Sequence, residues 1–152
     1  MTLDSKTFTY HAEMEWQGGR LGRATADGRP PVIVAPPRDF PGGDVSQWSP
    51  EHLFLASIQS CTMLSFLAHC SHNGVEVTGY RSQADGEIAR READQRYAFR
   101  RVTMIVTAGV AGGHVELARG LTAKAERDCF ISASTTADVQ TAWRIAEGEI
   151  AS

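Results

Sequence analysis

One long segment constrains the fold more than any other, because it has the pattern of a helix that is apolar on almost every side. Ser49 is suited to cap the helix N-terminus and Pro50 to occupy its first position. Asn73-Gly74 supplies a stop signal, and residues 53–68 between them are apolar or small on nearly every face. A helix of this kind must be enclosed. We therefore predict a central helix over residues 49–72, covered by sheet and by a second subunit.

The segments before this helix have the patterns of strands and loops. Apolar residues alternate with polar ones from Phe8 to Trp16, which predicts a half-buried strand. The glycine-rich residues 18–22 predict a turn, after which residues 23–27 return as a hairpin partner. An apolar run and a loop rich in proline and glycine follow, over residues 31–35 and 36–48.

The segments after the helix alternate between the two types of secondary structure. They predict two long strands, an amphipathic helix and a last strand, over residues 75–89, 96–108, 115–127 and 139–145. The amphipathic helix places Leu117, Leu121 and Ala125 on one face. We find no repeat and no linker, and we predict one α+β domain over residues 1–152 with an antiparallel sheet after the central helix.

Composition excludes several classes of function. A length of 152 residues suits one domain with a real core, and a net charge of −3 argues against nucleic acid as the main partner. No stretch approaches the roughly 20 apolar residues that span a bilayer, and the first ten residues lack the apolar core of a signal peptide. We expect a cytoplasmic protein with no membrane partner, whose 3 cysteines are reduced at rest.

Two of the cysteines lie where a redox pair would be useful. Cys61 lies in the body of the apolar helix, and Cys129 lies where the amphipathic helix ends. Both positions also suit inert packing, since burial alone raises the pKa of a thiol. A nearby cation would favour the reactive thiolate, and Arg20 on its glycine-flanked turn is the best candidate, with Arg23 in competition.

Glu51 is the most informative partner for such a cation. A carboxylate in the first turn of a helix is favourable for dipole reasons alone. Glu51 and Cys61 lie roughly 15 Å apart along a straight helix axis, so they cannot touch within one helix. If both serve one site, either an arginine bridges them or Glu51 comes from a second copy packed across a two-fold axis.

The remaining cysteine and the histidines do not predict a metal site. Cys70 lies near the polar end of the same helix, and we expect it to be structural. His69 and His72 flank it, but adjacent helical residues such as His69 and Cys70 point about 100° apart and chelate poorly. His52 and His114 are too scattered to help. We expect no metal and no cofactor.

Three segments, taken together, carry a resemblance to a known family. They are Gly18-Gly-Arg-Leu-Gly-Arg-Ala24, Trp48-Ser-Pro-Glu-His-Leu-Phe-Leu-Ala-Ser followed by Cys61, and Glu126-Arg-Asp-Cys129. In order and spacing the chain resembles the OsmC/Ohr family, the osmotically inducible and organic-hydroperoxide-resistance thiol peroxidases. The resemblance implies an intertwined homodimer with two long central helices enclosed by sheets and active sites at the subunit interface.

The resemblance also implies roles for the candidate residues. Cys61 would be the peroxidatic cysteine and Cys129 the resolving cysteine, with Arg20 and Glu51 activating and orienting the thiolate. The substrate would be an organic hydroperoxide, and the activity would extend to hydrogen peroxide. The reductant would be a dithiol such as a lipoylated protein. Two other functions fit the same residues, namely a thiol enzyme acting on other electrophiles and a non-enzymatic dimer that binds an apolar small molecule.

The chain departs from the family pattern at several positions. Leu21 stands where the organic-hydroperoxide branch commonly has aspartate. Phe130-Ile-Ser-Ala follows the second cysteine in place of proline, a β-branched residue, serine and asparagine, and Thr62-Met63 differs from the residues common after the first cysteine. These differences predict a less typical branch of the family.

Overall fold

The computed structural model describes residues 5–151. Within them, six strands and three helices follow one another as β1 (Glu13–Trp16), β2 (Gly22–Thr25), β3 (Val32–Val34), α1 (Pro50–His72), β4 (Val77–Arg90), β5 (Tyr97–Val110), α2 (Val115–Arg127), α3 (Phe130–Ala133) and β6 (Asp138–Glu147). The chain forms two compact units, Met1–Leu53 and Phe54–Ser152. They are called the N-terminal and the C-terminal unit below, and that the whole chain is one domain stays a prediction.

The N-terminal unit is built on a three-stranded antiparallel sheet in the order β1-β2-β3. The expected hairpin is present, but β1 is shorter than the alternating pattern predicted, and Phe8 and Tyr10 lie outside it, exposed. The reason is the length of its partner. Glu13 pairs with Thr25, the last residue of β2, so residues before Glu13 have no strand to pair with. Residues 36–48 form the predicted loop.

The C-terminal unit contains a second three-stranded sheet, in the order β4-β5-β6. Strands β4 and β5 form the predicted long antiparallel hairpin, whereas β6 runs parallel to β5 and makes the sheet mixed where an antiparallel one was expected. Helices α2 and α3 connect β5 to β6, and a crossover of that length permits parallel pairing.

Helix α1 has the bounds that its end signals predicted. The Ser49 hydroxyl accepts a hydrogen bond from the His52 backbone N–H (3.1 Å), which caps the first turn. At the other end Gly74 adopts a φ of 70°, and the Val75 N–H returns to the Cys70 carbonyl (2.9 Å). The helix therefore stops within two residues of His72.

The chain by itself encloses one stripe of α1 and leaves other apolar positions exposed. The buried stripe repeats every four residues, at Ile58, Thr62, Phe66 and Cys70. Leu64, by contrast, is 61% exposed. By length and composition α1 could also cross a membrane, which the sequence expectation did not allow for, although core helices of globular proteins meet the same description.

The core of the C-terminal unit forms where α1, α2 and the sheet meet. Helix α2 buries Ala118, Leu121 and Ala125, so the predicted face is confirmed except that Leu117 is half exposed and Ala118 takes its place. Polar contacts fix α1 against its neighbours. The Ser65 hydroxyl donates to the Ala125 carbonyl (2.9 Å) on α2. This packing brings the Cys61 region of α1 beside the connection that follows α2.

Candidate functional site: a pair of thiols and a pair of charges

Cys129 lies between α2 and α3, where it caps the N-terminus of α3. Its sulfur accepts hydrogen bonds from the Ser132 backbone N–H (3.4 Å) and from the Thr62 hydroxyl (3.6 Å). The residue is 1% exposed. Cys129 is therefore a buried thiol whose sulfur is held by donors from two separate elements.

Cys61 precedes Thr62 on α1 and is partly exposed. Its thiol lies close enough to the Cys129 sulfur for each cysteine to shift the pKa of the other, and both cysteines are free. The structure thus brings together the two cysteines that the sequence singled out. They differ in access, because a small molecule can reach Cys61 but not the enclosed Cys129.

The two thiols also differ in acidity. Burial raises the pKa of Cys61, and although backbone hydrogen bonds from Ile131 and Phe130 lower it, the neighbouring Cys129 raises it further. Burial also raises the pKa of Cys129, but the donors at its sulfur outweigh that effect and lower the net pKa. Within the C-terminal unit the first proton to leave the pair therefore leaves Cys129. A Cys61 thiolate would need a cation, and the predicted role of Arg20 stays a prediction.

Arg20 and Glu51 line one cavity of about 340 Å³ in the N-terminal unit. Its other walls are mostly apolar, formed by Val34, Ala35, Pro36, Pro37, Phe40 and Pro50. Within the described residues, the Glu51 Oε2 atom is buried and has no hydrogen-bond partner. The cavity therefore combines a cation, an unsatisfied carboxylate oxygen and apolar walls.

The turn that carries Arg20 explains its position. Gly18 and Gly19 adopt positive φ angles, and the Leu21 N–H bonds the Gly18 carbonyl (3.0 Å). The Arg20 side chain then lies against Gly42, where an added Cβ would come within 2.8 Å of the Arg20 Cδ. Arg23, the competing candidate, lies within β2 opposite Glu15 and does not line the cavity. The structure thus groups Arg20, rather than Arg23, with Glu51.

A scan of protein-family models matches residues 42–144 to the model described as OsmC-like protein. The chain belongs to the OsmC-like family. The resemblance drawn from the sequence is confirmed. A search of curated protein sequences finds no relative.

Solved structures of OsmC-like proteins share the fold at low sequence identity. An OsmC-like protein of unknown function from Vibrio cholerae is 19% identical, with a TM-score of 0.82 over 90% of this chain and 99% of its own. An organic hydroperoxide resistance protein from Elizabethkingia anophelis is 21% identical, with a TM-score of 0.71 over 94% and 99%. The organic hydroperoxide resistance protein OhrB of Bacillus subtilis is 21% identical, with a TM-score of 0.62 over 91% and 98%.

The other candidate side chains of this OsmC-like protein have structural contacts. Cys70 is buried in the core, where burial raises its pKa to about 11. The His69 ring bonds the Asp128 carboxylate (2.8 Å), and the His114 Nδ1 atom accepts from the Glu76 N–H (3.2 Å). These contacts tie elements of the C-terminal unit to one another.

Sequence reasoning missed Thr62 and Ser132 as partners of Cys129. Thr62 was noted only as a departure from the family pattern, yet it is one of two buried polar residues in the part of the chain that the structure describes, with Ser49. A signal was present, since a hydroxyl stands in the stripe that recurs every four residues along α1. Ser132 acts on Cys129 through its backbone N–H and through its hydroxyl, which lowers the pKa of Cys129 and donates to the Cys129 carbonyl (3.2 Å).

Proposed function

We propose that this OsmC-like protein is a thiol-dependent peroxidase that reduces organic hydroperoxides. The observation that carries the proposal is the contact between the accessible Cys61 thiol and the buried Cys129 thiol. In such a peroxidase the Cys61 thiol has to reach the substrate, whereas the Cys129 thiol has to reach only Cys61. Family membership supports this division, as the named hydroperoxide resistance proteins share the fold.

In the first step the Cys61 thiolate attacks one oxygen of the hydroperoxide. A sulfur–oxygen bond forms, the oxygen–oxygen bond breaks, and the alkoxide leaves as an alcohol after taking up a proton. Cys61 is then a sulfenic acid. Cys129 displaces its hydroxyl as water to give a disulfide, which a dithiol reductant such as a lipoylated protein reopens by exchange.

In the proposed reaction, Arg20 and Glu51, from the same chain or from a second copy, would supply the charge that this first step needs. A cation within about 4–6 Å lowers the pKa of a thiol by roughly 1–3 units, which would offset the effect of burial on Cys61. Glu51, with its unsatisfied carboxylate oxygen, would hold the arginine in place. The apolar walls of their cavity suit an alkyl or aryl hydroperoxide better than hydrogen peroxide.

The assembly we propose is a homodimer located in the cytoplasm. Exposed apolar side chains on α1, Leu64 above all, are suited to be covered by a second copy. A reducing compartment would keep all three cysteines as the free thiols of the resting state. Neither a nucleic acid nor a membrane is needed as a partner.

Free-thiol counting by intact mass, before and after stoichiometric cumene hydroperoxide, tests the proposal. We expect rapid loss of two thiols per chain in the native protein and in Cys70→Ala, the matched control. Cys61→Ser should abolish the reaction, and Cys129→Ser should stop at a trappable Cys61 sulfenic acid.

A second function is favoured by the raised pKa of Cys61 in the C-terminal unit, and the mostly apolar cavity of the N-terminal unit is of a kind that binds small molecules. If native protein loses no thiol to either cumene hydroperoxide or hydrogen peroxide, the peroxidase is excluded. Reaction with iodoacetamide at neutral pH would then point to a thiol enzyme for other electrophiles, and its absence to a protein that binds apolar small molecules.

A further inference from the structure

The hydroxyl of Thr62 is not explained by the secondary structure around it. A buried polar group costs free energy unless it is hydrogen-bonded, and a helical threonine ordinarily bonds a carbonyl in the preceding turn. Ser49, the other buried polar residue in the described range, has such an explanation because it caps α1. Thr62 instead donates to the Cys129 sulfur (3.6 Å) across the packing interface.

This bond places a donor and a reaction partner side by side on one helix. Cys61 and Thr62 are consecutive on α1, and both side chains reach the same Cys129 sulfur. The Ser132 N–H approaches that sulfur from α3 (3.4 Å). A thiolate at Cys129 therefore accepts from the Thr62 hydroxyl and the Ser132 N–H, with the Ser132 hydroxyl also lowering its pKa, and none of these donors is lost when Cys61 is oxidised.

We propose that Thr62 is a positioning residue whose hydroxyl holds the Cys129 sulfur as a thiolate beside Cys61, ready to attack the Cys61 sulfenic acid. In that step the sulfur–sulfur bond forms, the sulfur–oxygen bond of Cys61 breaks, and hydroxide leaves and becomes water by taking a proton from solvent. The oxidising equivalents come from the organic hydroperoxide, so this inference rests on the proposed function.

The same bond bears on reduction of the disulfide. A reductant thiolate can reach only the partly exposed Cys61 sulfur, so it forms its new bond there and Cys129 leaves. A leaving thiol departs faster when its thiolate is stabilised. Thr62 thus favours both closure and reopening of the same disulfide.

The groups around Cys129 define the pH range of a test. Cys61 faces it from α1 and the buried Tyr80 hydroxyl from β4, while Glu126 and Arg127 line the cavity beside Thr62 and Ser132. Burial, and the charge on Cys129, raise the pKa of Tyr80 well above its usual value, so its hydroxyl stays neutral across the range used.

The test compares Thr62→Val with Thr62→Ser and with Ser65→Ala, which removes a neighbouring α1 hydroxyl bond that does not involve Cys129. Closure of the Cys61 sulfenic acid is followed by stopped flow after one equivalent of cumene hydroperoxide. Loss of one hydrogen bond to a charged sulfur should raise the pKa of Cys129 by about one unit. The thiolate fraction at pH 7 then falls about tenfold and its nucleophilicity rises about threefold, so closure slows by about three- to fourfold.

The pH profile separates positioning from a merely structural role. At pH 10 the Thr62→Val protein should close at least as fast as the native one, because both then carry the thiolate. Thr62→Ser should restore the native profile, and Ser65→Ala should keep it. Equal slowing at both pH values, no slowing at pH 7, or no rescue by serine would overturn the inference. Thr62→Ala replaces Thr62→Val if the valine protein does not fold.

A second measurement keeps this inference separate from the proposed function. In a Cys61→Ser, Cys70→Ala background, the ultraviolet thiolate absorbance titrates Cys129 without any peroxide. The same one-unit rise on Thr62→Val is expected there. Peroxide-inert native protein with that rise would refute the peroxidase and retain the Thr62 contact, whereas an unchanged Cys129 pKa would refute the role of Thr62.

Discussion

The thiol pair of the C-terminal unit and the charged pair of the N-terminal unit differ in how completely their polar atoms are satisfied. The Cys129 sulfur has donors from Thr62 and Ser132. In the cavity that Arg20 lines, Glu51 Oε2 is buried with no partner among the described residues. Leaving such an oxygen unmet costs about 1–3 kcal/mol.

This difference indicates which step of the reaction each pair serves. The thiol pair has its partners within its own unit and is arranged for a reaction between its two members. In the charged pair, Glu51 Oε2 has no hydrogen-bond partner among the described residues, which leaves it free to bind a substrate or a neighbouring side chain. Experiments that disturb the charged pair should therefore affect reaction with peroxide, and those near the thiol pair should affect disulfide closure.

The largest effect is expected from removing the cation. Arg20→Met should slow oxidation of Cys61 by about tenfold at pH 7, because loss of a nearby cation raises a thiol pKa by about two units, which lowers the thiolate fraction about a hundredfold and raises its nucleophilicity about tenfold. Arg23→Met is the matched control, because Arg23 lies in β2 outside the cavity, and it should stay within about twofold of native. Stopped-flow kinetics of peroxide consumption measures both rates. Equal losses of rate in both variants would show that Arg20 has no special role.

A smaller effect is expected from crowding Arg20 without changing its charge. Gly42→Ala would place a Cβ within 2.8 Å of the Arg20 Cδ at a φ of 78°, whereas Gly28→Ala has a φ of 65° and nothing within 4 Å. Both should lose about 1–3 kcal/mol of stability to backbone strain. Only Gly42→Ala should also slow Cys61 oxidation, by about three- to fourfold, the loss expected if the thiol pKa rises by one unit and the lower thiolate fraction is partly offset by higher nucleophilicity.

Denaturant titration and peroxide kinetics on the same samples separate the two effects. Retained activity in Gly42→Ala at full folding would show that the position of the Arg20 side chain does not matter. Slowing in Gly28→Ala as well would show that strain anywhere in the N-terminal unit is sufficient.

The smallest effect is expected from removing the Asp128 carboxylate next to Cys129, which should change how stability depends on acid pH. Hydrogen bonds from Arg127 and His69 lower the pKa of Asp128 to about 2, and a bond from Arg91 does the same for Asp94 at the β4–β5 turn. A carboxylate with a depressed folded-state pKa contributes stability that is complete above about pH 4 and is lost as the pH falls through about 2. Asp128→Asn and Asp94→Asn should both flatten the acid unfolding curve.

The two variants should differ in the rate at which the Cys61–Cys129 disulfide closes. Asp128 precedes Cys129 and bonds the His69 ring on α1 (2.8 Å), so its loss loosens the end of α2 and should slow disulfide closure by about twofold at pH 7. Asp94→Asn should leave closure unchanged. Circular dichroism against pH and single-turnover closure measure the two outcomes, and a slower Asp94→Asn protein would contradict the local role of Asp128.

Helices α1 and α2 could be predicted from sequence, whereas the four-residue α3 was not predicted because it is too short to show a helical pattern. Ser49 and Gly74 are the cap and the stop of α1, and both act on the nearest turn. The direction of β6 could not be predicted, since its pattern is the same whether it pairs parallel or antiparallel with β5. The alternation from Phe8 also overextended β1, because pairing depends on where β2 ends.

The candidate site also has a part that could be predicted from sequence and a part that could not. Cys61, Cys129, Arg20 and Glu51 could be singled out because their motifs resemble the OsmC/Ohr family, since each residue type alone also suits a structural role at its position. The donors that surround the Cys129 sulfur needed the fold. Thr62 was missed because the sequence does not show where its hydroxyl points. Only the packing of α1 against the α2–α3 connection shows that this hydroxyl donates to the Cys129 sulfur.

The cap at the start of α3 has a consequence for the oxidised protein. The Ser132 N–H is satisfied by the Cys129 sulfur, which accepts well as a thiolate and poorly once it is half of a disulfide. Oxidation therefore weakens the first turn of this four-residue helix. Phe130 is the first residue of that turn and is 67% exposed. The surface around Phe130 should therefore differ between the reduced and the oxidised protein, and a reductase could distinguish the two.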